Sequence, residues 1–540
     1  MKKILCGFFF IAQTATVYAQ APSVQWQKAY GGSGSDGLIS AIKTNDGGYL
    51  LGGFSTSGIS GEKSEPNRGK EDYWVVKIDA SGILQWDKTY GGDSTDYLQS
   101  VIQTSDGGYM LAGYTQSDMG GDLTDTTYGY FDTWIIKTNA SGSKLWDRTY
   151  GGSGWNTDGI VSIRQTTDGG YLMWIVSAGG INNIKTDSSR GASDYWFVKT
   201  DSIGNIVWQK TIGGSGIDHI LSVDETLDGG YVIGGFSWSG IGGDKTTASF
   251  GGFDYWVVKL DSLRNIQWQK EYGGSSFEHL MSIKQTPDNG FIMTGFSQSG
   301  ISGNKTEPGR GMYDYWTIRT DANGNILWQK AFGGSGAEEN RGGMLSAFDG
   351  GYLHVGFSQS GISGEKSESS RGMDDFWLVK TDGNGNIQWD KTWGGDSTEF
   401  LYSSLQTSDG GYLIAGWSLS GISGDKTESP RGEFDFWVIK TTPDLSGTAE
   451  NNQQQDKVTL FPNPFSNTAT IRINTEIEKG QSFALIIYDN NGKEVLRIGN
   501  ITTQQTTISR AGLKSGIYFY RLESEHQNNK TSFSGKIIIQ

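Results

Sequence analysis

Two dipeptides at equivalent places in neighbouring repeats, Asp218-His219 and Glu278-His279, bring together the residue types from which transition-metal sites are built. Imidazole nitrogen and carboxylate oxygen are both ligands that zinc accepts. Tyr97 and Phe400 fill the same place elsewhere in the chain, so the position also reads as a packing position. An acid recurs once per repeat just ahead of a strand: Asp36, Asp96, Asp158, Asp218, Glu278, Glu338 or Glu339, and Glu399. Such a set could attract calcium, which prefers clustered oxygen ligands. The competing use is structural, with each acid accepting hydrogen bonds from the N–H groups of a turn. Repetition in every unit favours the structural use, because a ligand site tends to break the symmetry.

Nucleophilic chemistry finds fewer candidates. His354 stands where an apolar strand residue is expected and reads as core, and His526 lies near the C-terminus. Neither a Ser-His-Asp order nor a zinc-protease motif occurs. The hairpin from Asp321 through Gly324 to Trp328 has a longer Asp-to-Trp spacing than the sialidase Asp-box, and no arginine triad accompanies it. We assign no catalytic and no cofactor-binding residue from sequence. A carboxylate pair for glycoside hydrolysis stays open, because its separation is a three-dimensional quantity.

The elements that position these residues come from a repeat of about sixty residues. Trp26, Trp86, Trp146, Trp208, Trp268, Trp328 and Trp389 each begin a Trp-x-Lys/Arg phrase. Asp-Gly-Gly-Tyr recurs from Asp46, Asp106, Asp168, Asp228, Asp349 and Asp409, with the variant Asp-Asn-Gly-Phe at Asp288. Asp-x-Trp ends at Trp74, Trp134, Trp196, Trp256, Trp316, Trp377 and Trp437. A fixed period of this size marks a solenoid, propeller or array. One unit reads as four strands with turn residues between them, and four antiparallel strands per repeat describe a propeller blade. The array opens with a lone fourth-strand sequence, Val24 to Tyr30, and its last unit stops after a third strand. If the first strand completes the last unit, no sheet edge is left to aggregate. The expected fold is therefore all-β: a seven-bladed β-propeller over residues 20–440, closed by the N-terminal strand and followed by a small Ig-like β-sandwich.

Composition and charge narrow the compartment. The chain of 540 residues carries 81 glycines, 12% aromatics and a formal charge of −15, which opposes binding to nucleic acid or to an anionic membrane. Lys2-Lys3, the apolar run Ile4 to Ile11 and Val17-Tyr18-Ala19 read as a signal peptide over residues 1–19. Cys6, the one cysteine, lies inside that leader, so the mature chain can form neither a disulfide nor a thiolate metal site. No membrane-spanning segment is expected in the mature chain, and a monomer is expected.

The repeat resembles the sixty-residue, delta-60-like propeller repeats of secreted proteins from Bacteroidetes-type bacteria, over roughly Gln25 to Lys440. That resemblance implies a scaffold and no reaction. Residues 441–457 are polar and Gln/Asn-rich, as expected of a linker. Beyond them stand four phrases in order: Leu460-Phe461-Pro462-Asn463-Pro464-Phe465; Tyr488-Asp489-Asn490-Asn491-Gly492-Lys493; Leu513-Lys514-Ser515-Gly516-Ile517-Tyr518; and Gly535-Lys536-Ile537-Ile538-Ile539. They resemble the type A sorting domain of the type IX secretion system, here over residues 458–540, with Pro462, Asn463, Pro464, Asp489, Gly492, Gly516, Tyr518, Gly535 and Lys536 at the motif positions. The resemblance implies export across the outer membrane by the type IX machinery and processing by its sortase. The expectation for function is a secreted or surface-displayed binding or adhesion protein that recognises an extracellular glycan or protein. A glycan-active hydrolase and a structural surface-layer component are the alternatives. The long loops, among them Gly58 to Gly69 and Gly300 to Gly311, are where recognition is expected, with Trp155 and Trp238 as candidate aromatics.

Overall fold

The structure, a computed structural model, describes residues 20–153 and 158–444, and 458–539 apart from 462–464, 474–476, 478–481, 489–493, 511, 515 and 525–531. Residues 1–19, expected as a leader, residues 445–457 of the expected linker, and Trp155, Pro462, Asn463, Pro464, Asp489, Gly492 and His526 lie outside the described residues.

The first unit shows how sequence becomes sheet. Strand β1 is Val24–Tyr30, and β2 (Asp36–Lys43), β3 (Tyr49–Ser55), β4 (Asp72–Ile78) and β5 (Leu84–Tyr90) follow. Strands β2 to β5 form one antiparallel sheet in chain order. The turn from β2 to β3 puts Gly47 at a φ of 86°, which a side chain would strain. Asp46 fixes that turn by accepting the Gly48 N–H at 3.0 Å. Lys77, on β4, then reaches back to Asp46 at 2.8 Å. The same pair recurs from Lys137–Asp106 to Lys440–Asp409, with Arg319–Asp288 as the variant. The basic residue three positions after each Asp-x-Trp tryptophan is thus the clamp of the turn that opens its own sheet.

Among the described residues seven such sheets follow one another from residue 24 to residue 441. Sheets one to five span 36–90, 96–150, 158–212, 218–272 and 278–332. Sheet six spans 338–393, and sheet seven joins 399–441 to β1. β1 pairs antiparallel with Asp435–Thr441, setting Tyr30 opposite Phe436 and Val24 opposite Thr441. The last strand therefore runs one residue past 440.

Burial explains the near-continuous apolar runs. β3 and β4 are buried along their whole length, because each sheet is covered by a neighbour on both faces. Leu98 and Val101 of sheet two pack with Leu50, Tyr73 and Val75 of sheet one, and Leu413, Phe436 and Val438 of sheet seven pack with Leu38 and Trp74 of sheet one. Each Asp-x-Trp tryptophan is fully buried and donates its indole N–H to the residue after the Trp of the fourth strand: Trp74 to Asp87 at 3.1 Å, Trp196 to Gln209 at 3.1 Å. In sheet seven the acceptor is Gln27 of β1, at 3.0 Å from Trp437.

The first strands carry a β-bulge at one place, between Leu38 and Ser40 in sheet one and between Leu280 and Ser282 in sheet five. Sheet six departs from this: its first strand is broken into Glu338–Glu339 and Met344–Ser346 around Asn340–Gly343. The C-terminal region pairs Val458–Phe461, Thr468–Ile473 and Gln505–Ser509 in one sheet and Phe483–Tyr488, Glu494–Ile501, Gly516–Ser524 and Ser532–Ile539 in another. Ile471, Leu485, Ile487, Leu522 and Ile537 form one apolar core, so the region is a small two-sheet β-domain. Among the described residues no helix is long and apolar enough to cross a membrane.

Candidate functional site

The recurrent acids are turned into the seams and accept hydrogen bonds there. Asp36 is fully buried and accepts the Gly32 N–H at 2.6 Å and the Ser57 hydroxyl at 2.9 Å. Asp218 does the same with Gly214 and Ser239, and Glu278 with Gly274 and Ser297. The acids of Asp-x-Trp face them across each seam. Asp314 receives the Arg310 N–H at 2.7 Å, and its other oxygen lies against Gly333, where any side chain would collide with it. That contact explains the first glycine of the Gly-Gly that follows each fourth strand, as at Gly91, Gly213, Gly333 and Gly394.

Burial, opposed by hydrogen bonds from the loop, pushes Asp96, Asp132, Asp194, Asp254, Asp314 and Asp375 up to about 6 and Glu271 up to about 8. A folded-state pKa above the unfolded one gives a stabilising contribution that is complete below the unfolded value, near 4, and is lost as pH rises through the folded value. Burial pulls His279 down to about 4 and His354 to about 3, and His219 in the same direction, and these three oppose the trend below pH 6.5. The buried lysines Lys63 and Lys366, lowered to about 8, contribute a constant below that pH. The acids outnumber the histidines. The melting temperature is therefore expected to rise by several degrees from pH 8 to pH 5; a fall over that range in calorimetry would contradict the assignment.

The two histidines named by the sequence are brought together, but as rings. Phe236 stacks on His279 at 4.2 Å between centroids and packs against His219 at 5.0 Å. Phe253 meets His279 edge-on at 5.5 Å. The neighbouring Asp218 and Glu278 hold the seam. Among the described residues no three His, Cys, Asp or Glu side chains gather into a set that could hold a metal ion.

What those rings lead to is the surface. The loop between second and third strands and the connection from one sheet to the next meet on one face, as Ser60 accepting the Ser33 N–H at 2.8 Å and Gly31 accepting the Glu62 N–H at 3.0 Å show. Around this face the long loops are tied by ion pairs: Arg68–Asp122, Arg190–Asp244, Arg310–Glu365, Arg371–Asp425 and Arg431–Glu62. Among the described residues two seams lack the pair. Between sheets two and three Tyr128 stands for the arginine and Ile184 for the acid; between sheets four and five Phe250 and Asn304 take those places. The Phe250 ring lies on Gly303, where other loops lay the arginine stem.

At the seam of sheets four and five three aromatic rings are open to solvent: Trp238 is 58% exposed, Phe250 45% and Phe277 41%. Phe253 supports two of them, 5.5 Å from Trp238 and 5.8 Å from Phe277. Backbone bonds hold the platform, from the Trp238 N–H to the Ile217 carbonyl, the Gly252 N–H to Ser276 and the Gln298 N–H to Phe277, each at 2.8 Å. Sequence reasoning named Trp238 as a candidate aromatic. It did not pair Phe250 with Asn304; the signal was an arginine missing from two loops together with the acid facing it. On the opposite side, a concavity lined by Lys43, Asn45, Gln103, Ser105, Arg164 and Gln165 offers less, because the Gln103 and Gln165 side chains already accept the Asn45 and Ser105 N–H groups at 2.8 Å.

The geometry defines an all-β protein of repeated sheets with a separate C-terminal β-domain. Residues 459–540 match the family described as the secretion system C-terminal sorting domain. That domain directs the chain through the type IX secretion system to the extracellular space or the cell surface, and it implies contact with the type IX machinery. Of the motif residues within the described chain, Gly516 opens a strand, Tyr518 is buried and donates to the Lys514 carbonyl at 3.0 Å, and Gly535 and Lys536 pair with Tyr520 and Phe519. The chain is also similar to Regulatory protein FlaEY of Caulobacter vibrioides, 26% identical over 287 residues, which are 48% of this chain and 29% of that protein. The match thus spans less than a third of that relative. Among solved structures it is similar to a chimera of ACO and RPE65, with 10% identity, a TM-score of 0.35, and coverage of 79% of this chain and 95% of that one. It is also similar to dimeric latent PorU from Porphyromonas gingivalis, with 10% identity, a TM-score of 0.14, and coverage of 80% and 34%.

Proposed function

We propose that the secreted chain is a binding or adhesion protein: a seven-bladed β-propeller, closed by its N-terminal strand, that presents its loop face to an extracellular glycan or protein. Closure is supported by the Trp437–Gln27 bond, which seats β1 in the last sheet as the matching bond seats the fourth strand in other sheets, and by the Arg431–Glu62 ion pair, which links the last sheet to the first as other sheets are linked to their neighbours. The observation that carries the binding reading is the exposed aromatic surface at one of the two seams where the ring of ion pairs is interrupted. A purely structural component has no need of that asymmetry. A hydrolase needs a carboxylate pair open to substrate, whereas the recurrent first-strand acids are fully buried.

The test is a glycan array and a panel of purified extracellular matrix and mucin proteins probed with the full secreted chain, run beside a reducing-sugar assay. Binding without turnover is the expected result. Release of sugar would transfer the assignment to the hydrolase, and silence on both panels would remove the binding reading.

A further inference from the structure

We infer that the seam of sheets four and five is a subsite for an uncharged sugar, stacked on Trp238 and Phe277; this rests on the binding reading above. Three large rings are exposed at this seam, Trp238 and Phe250 from the long loop of sheet four and Phe277 from the connection to sheet five, with Trp238 and Phe277 on either side of Phe253, and a monomeric surface seldom sustains such a patch without use. Their flat faces suit the apolar C–H face of a pyranose ring, and their backbones are already pinned, so little order has to be imposed on binding. Polar groups surround the rings without adding charge. The Gln298 amide and Ser276 hydroxyl, 2.7 Å apart and exposed, can exchange their mutual bond for sugar hydroxyls, and the Ser302 and Ser275 hydroxyls lie in the adjoining loop and connection.

Charge decides against acidic ligands and against a salt-bridged protein interface. At this seam Asn304 replaces the acid and Phe250 the arginine. Lys245 and Glu271 are buried against each other at 2.8 Å, and Asp254 is turned inward onto the Phe250 N–H at 2.7 Å. A chain with a net charge of −15 repels uronic and sialic acids. The change recurs at the seam of sheets two and three, where Tyr128 replaces the arginine and Tyr130, 43% exposed, sits edge-on to Phe131 at 4.9 Å. Aromatic exposure therefore follows the loss of the ion pair at two separate places.

The experiment titrates the full secreted chain with cellohexaose, xylohexaose, mannohexaose and chitohexaose, and with polygalacturonate as the acidic control, by calorimetry and tryptophan fluorescence. At least one neutral hexaose is expected to bind and polygalacturonate is not. Trp238→Ala and Phe277→Ala, both at exposed positions, are expected to leave the melting temperature unchanged and to weaken binding about tenfold or more. Trp238→Phe should keep most of it. The double variant Phe250→Arg with Asn304→Asp, which restores the ion pair, should also weaken binding, whereas Ile59→Ala on the first loop should not. Unchanged affinity in Trp238→Ala and Phe277→Ala would overturn the subsite and leave the binding reading intact. Failure of every neutral hexaose, with a protein of the panel bound instead, would overturn the sugar and keep the binding protein; failure of both panels ends both.

Discussion

A chain lacking residues 458–540 is expected to accumulate, folded, in the periplasm, with surface and culture-medium signal reduced to background. The reasoning is that export and folding reside in separate cores. The strands between Val24 and Thr441 pair among themselves, and the C-terminal sheets enclose a cluster of their own, from Val458 to Ile539. A unit with its own core can fold alone. Cell fractionation with surface protease digestion reads the location, and the melting temperature of the trapped protein should match that of the full chain to within about 2 °C. Display of the truncated chain at the normal level would refute the export role of this domain.

Much of the sheet architecture was legible because three phrases recur at one spacing, each answering a local physical need. Asp-Gly-Gly supplies positive φ and a turn cap; Asp-x-Trp supplies a buried ring and a seam acid; the Gly-Gly after each Trp-x-Lys/Arg strand supplies a glycine on which that acid can lie. The assignment of partners was not legible. Lys77 meets Asp46 and Trp74 meets Asp87 through strand register, which periodicity does not reveal. The same limit applies to the site. Asp218-His219 and Glu278-His279 were singled out for their ligand chemistry, yet the acids turn into backbone bonds and the imidazoles into an aromatic stack. What these residues do depends on Phe236 and Phe253, which the sequence places far from His279. Sheet six keeps a related lesson. Asn340 stands where other first strands place leucine or isoleucine, and it is fully buried between the two pieces of a broken strand.

The second large effect is expected at the opposite end of the chain. Removal of residues 20–30 from the secreted protein would strip β1 from Asp435–Thr441, expose the backbone of a buried strand as a free edge and leave the Trp437 indole N–H without its acceptor. Aggregation or unfolding should follow, since the loss is that of a whole strand. A finer measurement separates closure from general damage. Gln27→Ala and Gln209→Ala remove the same bond, to Trp437 and Trp196, but only the first bond joins residues some four hundred positions apart. Each leaves a buried donor unmet and should cost about 1–3 kcal/mol in reversible denaturation. Equal costs mean that the N-terminal strand is seated in the last sheet as firmly as any internal strand is in its own. A normal cost for Gln209→Ala beside none for Gln27→Ala would mean that β1 does not complete that sheet, and the closed wheel, with the face on which the ligand is placed, would have to be given up.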